Sequence, residues 1–268
     1  MSSHFWQETR VQTWRWFLHS KRRPVVVISG LMQPIIWMTL FVLVLQDSME
    51  QAVGSNYLDF VTPGALLFTA FNAALNAGVP ILFDREMGFL DRIRAAPLVD
   101  RFSIVLSSAI HISVMTLLQC FVIVAATSVL GVSFAGGFMG AIVGLLALIL
   151  VIFGFTSVSL GLAFQFKKHF EMLAVIMIVT LPMIFLSSAF APLEKLPDWL
   201  RTAVVFNPVT MAIEPLRMVY SNADWTMSMT LADTAIGELN AWHFFAGLIA
   251  FNLLCGNWAR KVLAKKLA

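Results

Sequence analysis

The residues of this chain that could do chemistry fall into three groups. The largest is residues 84–101, DREMGFLDRIRAAPLVDR, where four acids (Asp84, Glu86, Asp91, Asp100) balance four arginines (Arg85, Arg92, Arg94, Arg101). Phe83, Met87, Leu90 and Arg94 follow spacings of four, three and four, with Phe89, Ile93 and Ala96 in a neighbouring row. That pattern predicts a short amphipathic helix stopped at Pro97, with charges to pair with a soluble protein and apolar residues to fill a groove. The second group is Thr69, Asn72 and Asn76, three and four apart on one helix face inside an apolar run. Such a stripe needs a facing helix or water, so it lines either a transport path or a seam. The third group is His111 and His243, near the ends of apolar runs, with Cys120 and Cys255 inside such runs. The histidines read as interfacial packing rather than a proton relay, and the cysteines as packing without metal-ligand spacing.

Enzyme signatures are missing from the sequence. There is no HExxH, GxSxG or CxxC motif, and no GxxxxGK[ST] phosphate loop. The chain is therefore expected to be no enzyme, with no catalytic residue and no metal site of its own. Any energy for uphill movement has to arrive from another polypeptide.

The elements that would position these groups are mostly apolar helices. Of 268 residues, 59% are apolar and 12% charged, with a mean hydropathy of +0.83. A soluble domain carries roughly 25% charged residues, so this chain belongs in lipid, with no call for nucleic acid as a partner. Six runs are long enough to cross a bilayer: residues 24–45, 61–83, 104–130, 138–164, 172–191 and 241–258. Asn252 and Asn257 interrupt the last one. None of the six contains Asp, Glu, Lys or Arg, which disfavours a carrier coupled to protons or sodium. The expected fold is thus an all-α integral membrane domain spanning residues 1–268.

Lysine and arginine set the expected orientation. Fifteen of the eighteen lie before the first run, after the second, after the fourth, or in the tail; Lys195, Arg201 and Arg217 are on the other side. Both termini and residues 84–101 are therefore expected in the cytoplasm, in a multi-pass protein of the plasma (inner) membrane. Residues 1–23 combine Trp6, Trp14 and Trp16 with five basic residues, which suits a helix lying in the headgroup layer. This start is not read as a secretory signal, because more than twenty mostly polar or amphipathic residues precede the first apolar run. Gly136, Gly140 and Gly144 recur every four residues and let another helix approach closely. Packing within the chain is preferred there to a subunit interface, and Gly154, Ser157 and Gly161 extend the small face.

Between the fifth and sixth runs, Asp198 reads as a helix cap after Pro197, and Asn207-Pro208 as a break that starts a second helix through Arg217. These two short helices are expected to dip back into the outer leaflet, with residues 221–238 as an external loop.

Two local patterns then carry a resemblance over essentially the whole chain. FDREMGFLDRIRAAPL (residues 83–98) is similar to the charged loop of ABC-2 type exporter permeases, the class that includes daunorubicin-resistance and nodulation-factor export permeases. APLEKLPDWLRTAVVFNPVTMAIEPLR (residues 191–217) is similar to that family's P-L-x-x-L-P-x-W-L and N-P-x-T elements, carried here by Pro197, Trp199, Asn207, Pro208 and Thr210. Met211 stands where such permeases often have an aromatic residue. The resemblance implies that Asp84, Arg85, Glu86, Gly88, Phe89, Leu90, Asp91, Arg92 and Pro97 belong to a coupling helix docked on a separate ATP-binding subunit. It further implies two copies of that ATPase, which would hold the ATP and magnesium, and a second permease subunit, identical or paralogous.

The function expected is an ATP-driven exporter subunit. Twenty-three phenylalanines against two tyrosines favour apolar or amphipathic cargo, drug-like or lipid-like, over polysaccharide or lipid-linked sugar. The alternative is a membrane scaffold or assembly subunit with no transport of its own.

Overall fold

The computed structural model describes residues 2–22, 24–53, 56–88 and 102–267. In chain order the helices are α1 (Ser2–Arg22), α2 (Pro24–Val53), α3 (Tyr57–Leu75), α4 (Val79–Glu86), α5 (Phe102–Val129), α6 (Gly137–Gln165) and α7 (His169–Phe185). A 3-10 turn (Leu193–Lys195), α8 (Asp198–Val205), α9 (Pro208–Ser221), strands β1 (Thr230–Thr234) and β2 (Gly237–Asn240), and α10 (Ala241–Leu267) complete it.

Among the described residues, four stretches are long and apolar enough to cross a membrane: Val27–Asp47, Tyr57–Glu86, Phe102–Val129 and Gly137–Gln165. Helix α7 is apolar but only 17 residues long, and α10 ends in Arg260, Lys261 and Lys265. The expected count of six rests on these two.

Helices α3 and α6 form the centre. Two-thirds (67%) of the most apolar window of Tyr57–Glu86 is buried, against 11% for Val27–Asp47, so α2 lies outside and the second run lies inside. Phe71 of α3 meets Phe155 of α6 edge-on at 4.7 Å, and Phe155 meets Phe251 of α10 at 5.0 Å. The expected small face of α6 takes helices of the same chain. A methyl group at Gly136 would lie 2.4 Å from the Val219 carbonyl oxygen, and one at Gly144 would lie 2.7 Å from Leu216 Cδ1, so α9 sits directly on glycine. Further along α6, Phe251 and Trp258 of α10 fill the space above Gly154 and Gly161. Asn252, an interruption in the sequence, donates its amide across this contact to the Leu150 carbonyl at 3.0 Å.

Two small apolar clusters mark the ends of the bundle. Trp16, Ile81, Val105, Leu160, Phe164 and Leu263 gather α1, α4 and the adjoining ends of α5, α6 and α10. Leu193, Val204, Val205, Ala232 and Phe244 close the opposite end.

The structure departs from the sequence expectation in several places. The run 61–83 is two helices with a break at residues 76–78. Helix α7 stops at Phe185, short of 191, just after Pro182. The loop expected at 221–238 contains the start of an antiparallel hairpin, so the chain is not purely helical. Its turn uses Gly237 at φ +115°, a conformation other residues rarely adopt. Finally, Pro197 rather than Asp198 holds the cap position of α8, and Asp198 opens the helix, 3.6 Å from Arg201.

Candidate functional site

The break in the second span begins where Asn76 ends α3, its side-chain amide donating to the Asn72 carbonyl at 2.8 Å. Helix α4 restarts with Pro80 in its first turn, where a missing N–H costs no helical hydrogen bond. A break of this kind frees backbone groups, and one side chain from α6 takes up two of them. The Ser159 hydroxyl donates to the Leu75 carbonyl at 2.6 Å and accepts from the Gly78 N–H at 2.8 Å. Gly78 itself rests on α6, where a methyl group would come within 2.4 Å of the Ser159 carbonyl oxygen.

The last turn of α4 sends three consecutive side chains to three different elements. Arg15 of α1 donates to the Asp84 carboxylate at 3.4 Å. The Arg85 guanidinium donates to the Phe166 carbonyl at the end of α6. The Glu86 carboxylate accepts from the backbone N–H of His169 at 3.1 Å and lies 2.6 Å from His169 Nδ1. His169 is the first residue of α7, so Glu86 places negative charge at a helix N-terminus, where the backbone dipole favours it. Phe83 supports this contact, edge-on to the His169 ring at 5.4 Å. Burial pushes the Arg15 guanidinium below its ordinary range, and the charge of Asp84 opposes that shift. This arrangement ties α4 mechanically to α1, α6 and α7.

The sequence expected residues from Asp84 onward to open a new amphipathic helix. Asp84, Arg85 and Glu86 instead close α4, Met87 N–H bonds back to the Phe83 carbonyl, and Gly88 takes φ +70°. A left-handed residue thus ends the helix. Phe89, Leu90, Asp91, Arg92 and Pro97 lie outside the described residues.

The polar stripe divides. Thr69 is buried and donates to the Ala65 carbonyl of its own helix at 2.8 Å. Asn72, half-buried, donates to Gln33 of α2 at 3.0 Å, which joins the peripheral α2 to the central α3.

At the opposite end, Asn207 both caps α9, accepting from the Val209 N–H at 2.9 Å, and donates at 2.7 Å to the carbonyls of Met183 and Leu186. Thr210 is buried and accepts from the Ser188 N–H at 3.3 Å. The N-P-x-T residues thus satisfy the backbone freed where α7 stops. Pro197 and Trp199 are exposed, and Pro208 occupies the first turn of α9.

Sequence reasoning missed Ser159, His169 and the pair Glu214–Arg217. Arg217 bonds to Glu214, donates to the Ser188 carbonyl at 2.6 Å, and lies 3.9 Å above the centre of the Phe60 ring. The three-residue spacing of Glu214 and Arg217 on one helix was a readable signal for that pair.

Comparison with known proteins identifies the family. The family described as ABC-2 type transporter matches residues 7–220. A putative transport permease ycf38 from Cyanophora paradoxa is 40% identical over 98% of this chain and 91% of its own length. The Porphyra purpurea protein of the same name is 34% identical over 97% and 90%. The daunorubicin resistance ABC transporter permease protein DrrB1 of Streptomyces coeruleorubidus is 25% identical over 85% and 80%.

Proposed function

The chain belongs to the ABC-2 type transporter family as a multi-pass membrane permease subunit, and from that premise we propose that it is the translocating half of an ATP-driven exporter. Two such subunits, identical or paralogous, form the pathway, and two ATPase chains holding ATP and magnesium dock beneath them. Both termini and residues 84–101 face the cytoplasm in this reading, and the cargo is apolar or amphipathic. A daunorubicin-resistance relative supports that cargo class.

One observation carries the coupling role. Asp84, Arg85 and Glu86 are each committed to a different neighbouring element, so a push on the segment beyond them reaches α1, α6 and α7 at once. Their side chains transmit force within the permease. The docking contacts then belong to the segment that follows, with Phe89, Leu90, Asp91 and Arg92 meeting the ATPase and Pro97 closing the segment before α5. ATP drives transport only insofar as the ATPase binds one arrangement of these helices more tightly than the other.

Co-purification of the tagged chain from its native membranes, followed by ATP turnover in lipid, tests the assignment. Phe89→Ala is expected to reduce recovery of the ATPase. Glu86→Ala is expected to preserve assembly while lowering the stimulation of ATP turnover by the permease several-fold. Wild-type assembly and turnover in both variants would defeat the coupling role and favour a scaffold.

A further inference from the structure

The non-helical turn at residues 76–78 lies between two helices of one membrane span, with Leu75, Ala77 and Gly78 all buried. Hydrocarbon offers no water to freed backbone groups, so a break there persists only where protein supplies the partners. Val79 N–H turns back to the Asn76 carbonyl, which leaves the Leu75 carbonyl without its usual helical donor. Gly78 N–H is directed at α6 in the same way. Both meet the one hydroxyl of Ser159, which is fully buried.

We propose that this turn is a hinge and that Ser159 is its positioning residue, fixing the direction in which α4 leaves α3. Three features make the joint a pivot. The hydroxyl donates to one side of the break and accepts from the other, so both halves register against the same atom. Gly78 brings the backbone into direct contact with α6, with Ala163 Cβ also 2.9 Å from where its own Cβ would be, so the joint cannot slide inward. Pro80 keeps α4 from annealing onto α3, because it has no N–H to continue the ladder. Ser157, two residues away on the same helix, shows the ordinary alternative, its hydroxyl donating to the Phe153 carbonyl of its own helix at 2.8 Å. Ser159 acts across helices, at the joint above the three-way hub.

The inference rests on the coupling reading only for its consequence in transport; the hinge is measurable in the chain alone. The full chain, with Cys120 and Cys255 replaced by Ala, is placed in phospholipid nanodiscs. Spin labels on Met87→Cys and Phe121→Cys report the position of the α4 end, and a second pair on Phe121→Cys and Phe153→Cys reports the bundle. The parent protein is expected to give one narrow distance for each pair. Ser159→Ala is expected to add a second α4 position, changing the ratio of the two states by roughly tenfold, while the bundle pair stays narrow. Gly78→Ala, whose methyl group meets the α6 backbone, is expected to shift the α4 distance outright. An unchanged α4 distance in both variants overturns the hinge, and so does equal broadening of both pairs, which marks general loosening. Should Ser159→Ala fail to insert, Gly78→Ala alone decides between these outcomes. Absence of any co-purifying ATPase would defeat the transport reading and leave the hinge result standing.

Discussion

At the scale of single residues, the charges of this protein are spent on backbone as much as on one another. Arg201 donates to the carbonyls of Leu193, Glu194, Leu196 and Asp233, which binds the 3-10 turn, α8 and the hairpin into one cap. Arg217 acts similarly between α9 and the end of α7, but it is more deeply enclosed, and its counter-ion Glu214 is buried where Asp198, beside Arg201, is exposed. Removing one member of a buried pair strands the other, at a cost of about 3–5 kcal/mol. Arg217→Ala should therefore lower the unfolding temperature of the detergent-solubilised protein by several degrees. Glu214→Gln combined with Arg217→Met should recover much of that loss, because neither charge is then left alone. Equal losses in the single and double variants would show that the packing of Arg217 on Phe60, rather than the charge pair, is what matters.

At the scale of elements, what the sequence revealed and what it hid follow from the range of each interaction. Asn207-Pro208 announced a helix start because an asparagine cap and a first-turn proline are local signals, and α9 begins there. The glycine repeat announced close packing and found it in α9. The break at 76–78 also carried a local signal, Gly78 followed two residues later by Pro80, yet a hydropathy window averages over it and returns one apolar run. Ser159 gave no signal, since a serine in a membrane helix commonly bonds its own backbone. The hairpin was hidden because residues 230–240 are short and polar and pack against elements remote or irregular in sequence pattern, namely the 3-10 turn, α8, α9 and the start of α10. The charges of Asp84, Arg85 and Glu86 were legible, but their internal commitment was not, because Arg15, Phe166 and His169 are remote in sequence. Asn207 gives this scale its test. Asn207→Ala removes a cap and two inter-helix bonds, at about 1 kcal/mol each, and should speed amide hydrogen exchange at Leu186, Ser187 and Ser188. Asn207→Asp keeps the cap acceptor and loses the donations to Met183 and Leu186, so it should fall between. Equal protection in all three proteins would remove Asn207 from its role at the α7 end.

At the scale of the whole molecule, the bundle is organised from the inside outward. Helices α3 and α6 hold the centre, α9 and α10 lie on glycine faces, and α2 and most of α5 present apolar surface outward. The distribution of lysine and arginine makes the end that carries both termini the proposed cytoplasmic one. Single cysteines at Arg10 and at Arg260, in a chain otherwise free of cysteine, should react with an impermeant maleimide only after right-side-out vesicles are opened. A cysteine at Trp199, which is exposed on α8, should react at once. The reverse pattern, or mixed labelling, would overturn the proposed orientation.

The length of α4 carries one more consequence. Its eight residues make a rod of about 12 Å, joined to α3 at Gly78 and loaded at Glu86. A rotation of about 10° at the joint moves the far end by about 2 Å along its arc, comparable with the whole length of an H···O contact. The grip of Glu86 on His169 is therefore either held or lost, with little travel between. Under the proposed coupling role, a push on α4 would thus reach α7 as a discrete step at its first residue.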